Sequence, residues 1–427
     1  MADAVTQWND VLLKIIKAEG GAPGPIARAG AMMHCAMYDA VISIRPSTHR
    51  PYLISVPAEP GASVRSAIAH AAHDTLVDAF PAQTALIAAE RTIALNGISP
   101  GPRAAGEAVG KAAAGAMIAA RTNDGVVVDE STYTPGTKAG DWRPTGSDGG
   151  VGPYWSDVKP FVIEHGNDFR PPRPGGYATK DEMLKSSEYA AQVNEVMCYG
   201  GKDSTERTAE QEEIALFWAN DLNGSYKPPG QLYEMTKIVA LQKGLGIVEN
   251  AHLFALVALA LADASIVAWD AKYETSLDLW RPESAINLAD TDGNPATMKP
   301  PTTNPPTPPW EPLSYDPVKK KHFSPPFPAY VSGHATFGAA HAAVMRRYFG
   351  TDNVTFTAHT DDPSLKNATP PVTRTFNSFT EAALENGRSR VYLGVHFQWD
   401  GDNGYLSGSA LAEYVYDNVL APIGGAC

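Results

Sequence analysis

Apolar residues recur every three to four positions along most of the chain, which is the spacing of the buried face of an α-helix. This period predicts eleven helices, at 3–17, 26–44, 63–80, 83–95, 104–120, 186–197, 208–219, 251–273, 334–349, 379–393 and 403–420. The alternation typical of a strand is rare, and the best candidate is the short β-branched run 125–129. The pattern therefore predicts an all-α fold.

Two long segments interrupt the helical pattern. Residues 123–180 are rich in Gly, Pro and Thr, and residues 294–328 contain 12 prolines in 35 positions. Loops of this length in a compact protein usually shape a site. We therefore predict two helical bundles, 1–180 and 181–427, packed into one compact body, with the site in the second bundle and both loops walling it. The proline-rich segment also fits an extended linker between domains.

Composition narrows the possible partners. The 427 residues carry a net charge of −13, and 44% of them are hydrophobic while 19% are charged. This composition supplies enough apolar residues for a large packed core, so a disordered chain is not expected. The acidic balance argues against binding to nucleic acid or to anionic membranes, because the longest cationic run is 319–321. The longest apolar stretch, 253–268, is interrupted by Asp263 and predicts a buried core helix instead of a membrane span.

Cysteines and the N-terminus say little about the compartment. Three scattered cysteines are too few for a disulfide framework or a CxxC metal site. The first residues lack the features of a signal peptide, so we expect a cytoplasmic protein, or a secreted one whose leader has been removed.

The first chemical motif is the turn Ser332-Gly333-His334, which opens an Ala-rich helix. The first N–H groups of a helix have no intrahelical acceptor and lie at the positive end of its dipole, so such a turn can bind an oxyanion. Ser332 would donate its hydroxyl hydrogen to that anion, and His334 would face it. The alternative is that Ser332 only caps the helix and His334 lies on the surface.

Two further motifs carry cations and a second histidine. Arg390 and His396 lie six residues apart, and Asp400 follows where it could bind the other ring nitrogen of His396. Arginine suits oxyanions, while a histidine nitrogen can attack phosphorus or ligate a metal. Lys272 and Arg281 form the third motif. Taken singly, each motif also fits ordinary surface charges and ion pairs. Their order within about 125 residues predicts one shared oxyanion pocket.

Together these motifs resemble the vanadium-dependent haloperoxidases and their relatives, the type 2 phosphatidic acid phosphatase and bacterial acid phosphatase superfamily. The resemblance covers residues 272–400 at the level of motifs, and FPAYVSGHATFG and SRVYLGVHFQWD are more similar to the chloroperoxidase branch. Weaker similarity extends to residues 217–225 and 27–41. The resemblance implies an all-α enzyme with a vanadate cofactor, for which phosphate would substitute.

The resemblance also implies a role for each site residue. His396 would bind vanadium, His334 would act as acid and base beside the apical oxygen, and Ser332 with the Gly333 N–H would complete the cradle. The equatorial oxygens would be neutralised by three cations, Lys272, Arg281 and Arg390. Asp221 would pair with Arg390, and the halide side would carry Trp269 and Phe327.

One departure from the family pattern concerns the first cations. Eight residues separate Lys272 from Arg281, whereas the family has six. On a continuous helix two extra residues rotate a side chain by about 200°, so Lys272 keeps its implied role only if a bulge or a turn absorbs them.

The function implied is a vanadium-dependent haloperoxidase, which uses hydrogen peroxide to oxidise halide to a hypohalous-acid equivalent that reacts with a small organic acceptor. The alternative is a soluble acid phosphatase, in which His396 would form a phosphohistidine and His334 would protonate the leaving alcohol. A catalytically silent oxyanion-binding relative is a third reading. The sequence is compatible with a homodimer, and it does not specify the halide preference or the organic substrate.

Overall fold

The structure is a computed structural model that describes residues 3–45, 47–126, 129–146, 149–300, 309–365 and 368–423. Helices dominate these described ranges: α1 (Ala4–Glu19), α2 (Pro23–Ile44), α3 (Val64–Ala79), α4 (Thr84–Leu95), α5 (Pro100–Arg121), α6 (Lys180–Leu184), α7 (Ser187–Tyr199), α8 (Ala209–Ala219), α9 (Lys227–Lys243), α10 (Ile247–Tyr273), α11 (Pro282–Asn287), α12 (Gly333–Phe349), α13 (Phe379–Tyr392) and α14 (Gln398–Asn418). The predicted all-α class is confirmed.

Two small antiparallel hairpins are the only paired strands in the described ranges. In the first, β1 (Tyr315–Asp316) pairs with β2 (Lys321–His322) so that Tyr315 lies opposite His322. In the second, β3 (Phe356–His359) pairs with β4 (Thr373–Phe376) so that Phe356 lies opposite Phe376. Short 3-10 helices occur at Pro81–Gln83, Glu130–Thr132, Trp155–Asp157, Gly166–Phe169 and Pro174–Gly176.

The predicted strand at 125–129 is wrong for the residues that can be judged. Residues 125, 126 and 129 belong to no strand, and residues 127 and 128 lie outside the described part of the chain. The β-branched run ends in a 3-10 turn that Asp129 caps by accepting from the Ser131 N–H at 3.0 Å. In the described part of the chain no strand pairs with residues 125, 126 or 129, and local β propensity alone does not make a strand.

All eleven predicted helices are present, with ends shifted by a few residues. The sequence pattern missed α6, α9 and α11, of which α9 is the longest. Its first turn reads Lys227-Pro-Pro-Gly, which is typical of a turn. Proline is tolerated in the first turn of a helix because the N–H groups there have no intrahelical acceptor, so α9 forms despite this signal.

The helix α10 lies at the centre of the molecule. It packs against α2, α12 and α14. It is long and apolar enough to cross a membrane by length and composition alone, but 94% of its apolar window is buried inside the protein, as predicted for a core helix. The main core cluster runs from Ala4 to Leu420. The bundle boundary at residue 180 stays a prediction.

Asp263, the one acidic interruption of the apolar run in α10, anchors the loop 123–180 to the core. Its Oδ1 accepts from the Phe161 N–H at 2.7 Å, and its Oδ2 accepts from Val162 and Ile163 at 2.8 and 3.0 Å. Burial raises the pKa of Asp263 to about 6, although these N–H groups oppose the shift. The carboxyl group thus replaces the water that three backbone donors lose on burial.

Small residues bring α12 and α14 close together. A Cβ atom on Gly408 of α14 would lie 2.2 Å from the Thr336 carbonyl oxygen of α12, so only glycine fits. The contact places the start of α12 beside the start of α14, where the Ser332 N–H donates to the main-chain oxygen of Asp400 at 3.0 Å. Two of the three predicted motifs therefore meet at one point.

Candidate oxyanion site

A cavity of about 390 Å³ opens where the first turn of α12 meets the C-terminal part of α10. Both long loops contribute to its wall, Val151 from the first and Phe327 from the second, as the sequence predicts. Gly21 and Ala22 from the turn between α1 and α2, and Pro23 at the start of α2, also line it. The site therefore uses segments from both predicted bundles.

His396 lies between α13 and α14 on the wall of this cavity. Its Nδ1–H donates to Oδ2 of Asp400 at 3.0 Å, so its Nε2 carries the free electron pair and accepts from Nη1 of Arg281 at 3.0 Å. Burial lowers the pKa of His396 well below its ordinary value, and the charges of Arg281 and Lys272 lower it further. At neutral pH the ring is uncharged, which is the form that binds a metal or attacks phosphorus.

Arg281 and Arg390 bring buried guanidinium groups with unused donors. Arg281 donates from Nε to the Phe327 carbonyl at 2.7 Å and from Nη1 to the Val395 carbonyl at 2.8 Å, while its Nη2 has no acceptor among the described residues. On Arg390, Nε and Nη1 likewise have no acceptor there. Unpaired buried charged donors are costly, so these groups indicate that an anion belongs in the cavity.

Asp221 follows α8 and links Arg390 to the second histidine. Its Oδ2 accepts from Nη2 of Arg390 at 2.5 Å, and its Oδ1 lies 3.9 Å from Nε2 of His334. Burial raises the pKa of Asp221, but Arg390 and His334 outweigh burial and the pKa lies below its ordinary value. The carboxylate therefore stays charged and orients Arg390.

His334, the second residue of α12, lines the cavity. Its Nε2–H donates to the Ala219 carbonyl oxygen at 3.0 Å, which leaves Nδ1 as the acceptor nitrogen. Burial, followed by the charge of Arg390, lowers the pKa of His334 to about 4, although Asp221 opposes this. The ring is thus a neutral base at pH 7.

Ser332 and Gly333 form the first turn of α12 at the same site. Oγ of Ser332 accepts from the Ala335 N–H at 3.4 Å, so Ser332 is the N-cap, yet its hydroxyl hydrogen is still available to an anion. The Gly333 N–H donates to no acceptor in the described part of the chain, and Gly333 lies on the cavity wall. Helix capping and oxyanion binding by Ser332 are therefore compatible.

Lys272 is buried behind the cavity wall and does not line it. Helix α10 ends at Tyr273, so the two extra residues before Arg281 fall in a loop and the expected rotation of Lys272 does not arise. Its Nζ donates to the carbonyl oxygens of Pro328, Ala329 and Val331, at 2.7, 3.2 and 2.5 Å. These contacts use all three N–H groups of an ammonium ion. Lys272 thus brings charge to the site without a free donor.

Trp269 and Phe327 form an aromatic wall, with ring centroids 5.0 Å apart. Nε1 of Trp269 donates to the Val151 carbonyl oxygen at 3.1 Å, which fixes the first long loop against α10. Sequence reasoning missed two polar residues of this cavity, Asn223 and Lys227. The only signal for them was their position within and just after the weakly similar segment 217–225.

The set of donors suits an oxyanion better than a bare metal ion. Among the described residues, no three His, Cys, Asp or Glu side chains gather as metal ligands. The site instead offers the acceptor nitrogens of His396 and His334, free guanidinium donors and the helix N–H of Gly333. Arg390 presents its free donors on the cavity wall, and Arg281 lies behind the wall against His396. The chain is therefore a helical-bundle protein with a buried pocket whose donors suit an oxyanion.

Comparisons with known proteins show similarity to one group of helical-bundle enzymes. Residues 252–425 match the family model of the VCPO second helical-bundle domain. Vanadium chloroperoxidase of Curvularia inaequalis is 30% identical over 297 residues, which are 58% of this chain and 45% of that protein. The match therefore spans less than half the length of this curated relative.

Solved structures extend the likeness to the whole fold. A crystal structure of the first bacterial vanadium-dependent iodoperoxidase matches with a TM-score of 0.78 and 22% identity, covering 99% of this chain and 98% of that one. Holo-type bacterial vanadium-dependent chloroperoxidase matches with a TM-score of 0.72 and 19% identity, over 95% and 93% of the two chains. The chain has the fold of these two solved structures, and its residues 252–425 match the VCPO second helical-bundle domain.

Proposed function

We propose that this protein is a vanadate-dependent haloperoxidase that uses hydrogen peroxide to oxidise halide, with a small organic molecule as the final acceptor. The observation that carries the proposal is the neutral His396, with its Nε2 beside Arg281 in a cavity that also holds unpaired donors of Arg390. The named relatives are haloperoxidases, which favours this function over the acid phosphatase.

The residues present fit a vanadate group. His396 would ligate the metal through Nε2, while Arg281, Arg390, Ser332 and the Gly333 N–H would neutralise its oxygens. When bound, vanadate would supply a Lewis-acidic centre that activates peroxide toward halide without changing its own oxidation state. Orthophosphate is likewise a tetrahedral oxyanion, so we expect it to compete for the pocket.

His334 would accept and return the proton during the reaction. Its Nε2–H is held by the Ala219 carbonyl and its pKa lies near 4, so Nδ1 would accept the proton that peroxide releases. Asp221 would stabilise the resulting imidazolium from 3.9 Å. Lys272 would add positive potential to the site and hold residues 328–331, as its three carbonyl contacts suggest.

Trp269 and Phe327 would form the halide side. Their rings exclude water from one wall of the cavity. A halide ion that contacts this wall loses less hydration energy than a smaller, harder anion would. Phe327 also lies over the Arg281 guanidinium, with 4.7 Å from Cζ to the ring centroid, which fixes both groups.

Vanadate reconstitution tests the proposal directly. The protein is dialysed against orthovanadate, its vanadium content is measured, and halogenation of a reporter dione is followed with peroxide and chloride, bromide or iodide. We expect one bound vanadium and halogenation that depends on peroxide. Inactivity with all three halides, together with efficient hydrolysis of p-nitrophenyl phosphate, would show that the protein is the phosphatase instead.

Two histidine variants separate binding from turnover. His396→Ala should abolish vanadium retention, because the metal loses its protein ligand. His334→Ala should retain vanadium and lose halogenation, because only the proton acceptor is removed. His165→Ala, at an exposed position outside the cavity, is the matched control. Equal vanadium content in wild type and His396→Ala would contradict the assignment.

A further inference from the structure

The oxyanion groups do not account for every charge in the cavity. Lys227, the first residue of α9, also lines it, although only 6% of its surface is exposed. Its Nζ donates to the main-chain oxygen of Asp221 at 2.6 Å. The mechanism proposed above does not use this lysine.

Lys227 has no carboxylate partner among the described residues. Among the described residues that line the cavity, Asp221 is the only acidic side chain, and its carboxylate accepts from Arg390. Lys227 therefore donates only to a carbonyl oxygen. An ammonium group can donate three hydrogen bonds, and one is used. Burial of an unpaired cation is costly, so an anionic ligand would relieve a penalty that the folded protein carries.

The position of Lys227 relates it to the oxyanion site. Asp221 touches both cations, Lys227 through its main-chain oxygen and Arg390 through its carboxylate. Both cations therefore contact the same residue and line the same cavity. An anion bound by Lys227 would share this cavity with the oxyanion.

The remaining wall is apolar and too large for a halide ion alone. Aromatic rings of Trp269, Phe327 and Phe337 and several prolines line the cavity of about 390 Å³. This volume lies within the range of about 300 to 1,000 Å³ that is typical of sites for small organic ligands. A ring or short apolar chain fits these walls, and one anionic group fits Lys227.

We propose that Lys227 binds the organic acceptor, and that this acceptor is a small aromatic or apolar molecule carrying one carboxylate or phenolate. The assignment rests on the proposed haloperoxidase function for what happens to the bound molecule. Binding itself needs neither peroxide nor halide. The acceptor would thus be held in the cavity beside the oxidising site.

The experiment measures benzoate binding by isothermal titration calorimetry, with excess orthovanadate present so that benzoate does not enter the oxyanion site. Benzyl alcohol is the neutral probe of the same size. We expect benzoate to bind and benzyl alcohol to bind at least about tenfold more weakly, since a charged hydrogen bond distinguishes them. Lys227→Met should weaken benzoate binding by about tenfold to a hundredfold, and Lys227→Arg should largely restore it.

Lys237→Met is the matched control, because it removes the charge of a mostly buried lysine that pairs with Asp10 and Glu234 outside the cavity. Benzoate affinity should not change in this variant. Equal affinity for benzoate in wild type and Lys227→Met, or for benzoate and benzyl alcohol in wild type, overturns the proposal. Loss of vanadate affinity in Lys227→Met also overturns it, because Lys227 would then act by positioning Asp221. A protein that binds benzoate through Lys227 but lacks halogenation refutes only the proposed function.

Discussion

Replacing Asp400 by alanine tests how the protein prepares His396. The carboxylate accepts from Nδ1 of His396 at 3.0 Å and from the Phe397 N–H at 3.1 Å, so the change leaves two buried donors without an acceptor. Loss of the partner that orients a metal-binding histidine typically costs about 10- to 100-fold in metal affinity. We therefore expect Asp400→Ala to raise the dissociation constant of orthovanadate by that factor.

The stability effect of the same change is smaller than two lost hydrogen bonds suggest. Each orphaned buried donor costs about 1 to 3 kcal/mol. Burial raises the pKa of Asp400 to about 7, although the Phe397 N–H and Lys272 oppose this, so the wild type itself carries a desolvation cost that alanine removes. We expect the free energy of unfolding to fall by about 1 to 3 kcal/mol, which leaves a folded protein for the binding assay.

Equilibrium dialysis against orthovanadate at pH 8, followed by metal analysis, gives the dissociation constant. Asp400→Asn is the matched variant, because its amide oxygen still accepts a hydrogen bond while the negative charge is gone. We expect its affinity to stay within about fivefold of wild type, since the hydrogen bond orients the ring. Unchanged affinity in folded Asp400→Ala would refute the reasoning, and an Asn variant as weak as Ala would show that charge is the important factor.

Three further predictions concern stability. Burial lowers the pKa of His34 to about 3, so below pH 6.5 the unfolded chain binds a proton that the folded chain does not, and the free energy of unfolding decreases as the pH is lowered. Between pH 7 and pH 5 this contribution is about 2 kcal/mol, and the His34→Phe variant should lack it when both proteins are unfolded with urea. An equal pH dependence in both proteins would contradict this. Gly408→Ala should destabilise by about 1 to 3 kcal/mol through collision with Thr336, whereas Gly115→Ala, in open space, should stabilise slightly; similar melting temperatures would argue against the close contact. Lys272→Met leaves three carbonyl oxygens unpaired and should lower the free energy of unfolding by about 3 kcal/mol or more. A loss of vanadate affinity with unchanged stability would instead support direct contact between Lys272 and the oxyanion.

Much of the helical fold was predictable because burial of one helix face imposes a period on the sequence. Such a period is legible only where no turn signal interrupts it. Helix α9 opens with Lys227-Pro-Pro-Gly, so the start of its sequence reads as a loop. The hairpins β1–β2 and β3–β4 are two and four residues per strand, too short for alternation to stand out.

The site was predictable in its chemistry but only partly in its contacts. Arg390 and Asp221 lie far apart in sequence, and their pairing followed from the resemblance to a family and from no local pattern. Whether Lys272 reaches an anion depends on how residues 328–331 fold back toward α10, which no spacing encodes. Lys227 was not predicted, because burial is a property of the packed chain.

The central position of α10 has a consequence for synthesis of the chain. When α10 leaves the ribosome, α2 has already been made, so one side of the helix can find its partner at once. The side that faces α12 and α14 must wait for the C-terminal part of the chain. During that interval the nascent protein carries a helix as apolar as a membrane span, and the α10 residues that contact α12 and α14 are uncovered. We therefore expect premature termination after α10 to yield insoluble or chaperone-bound product.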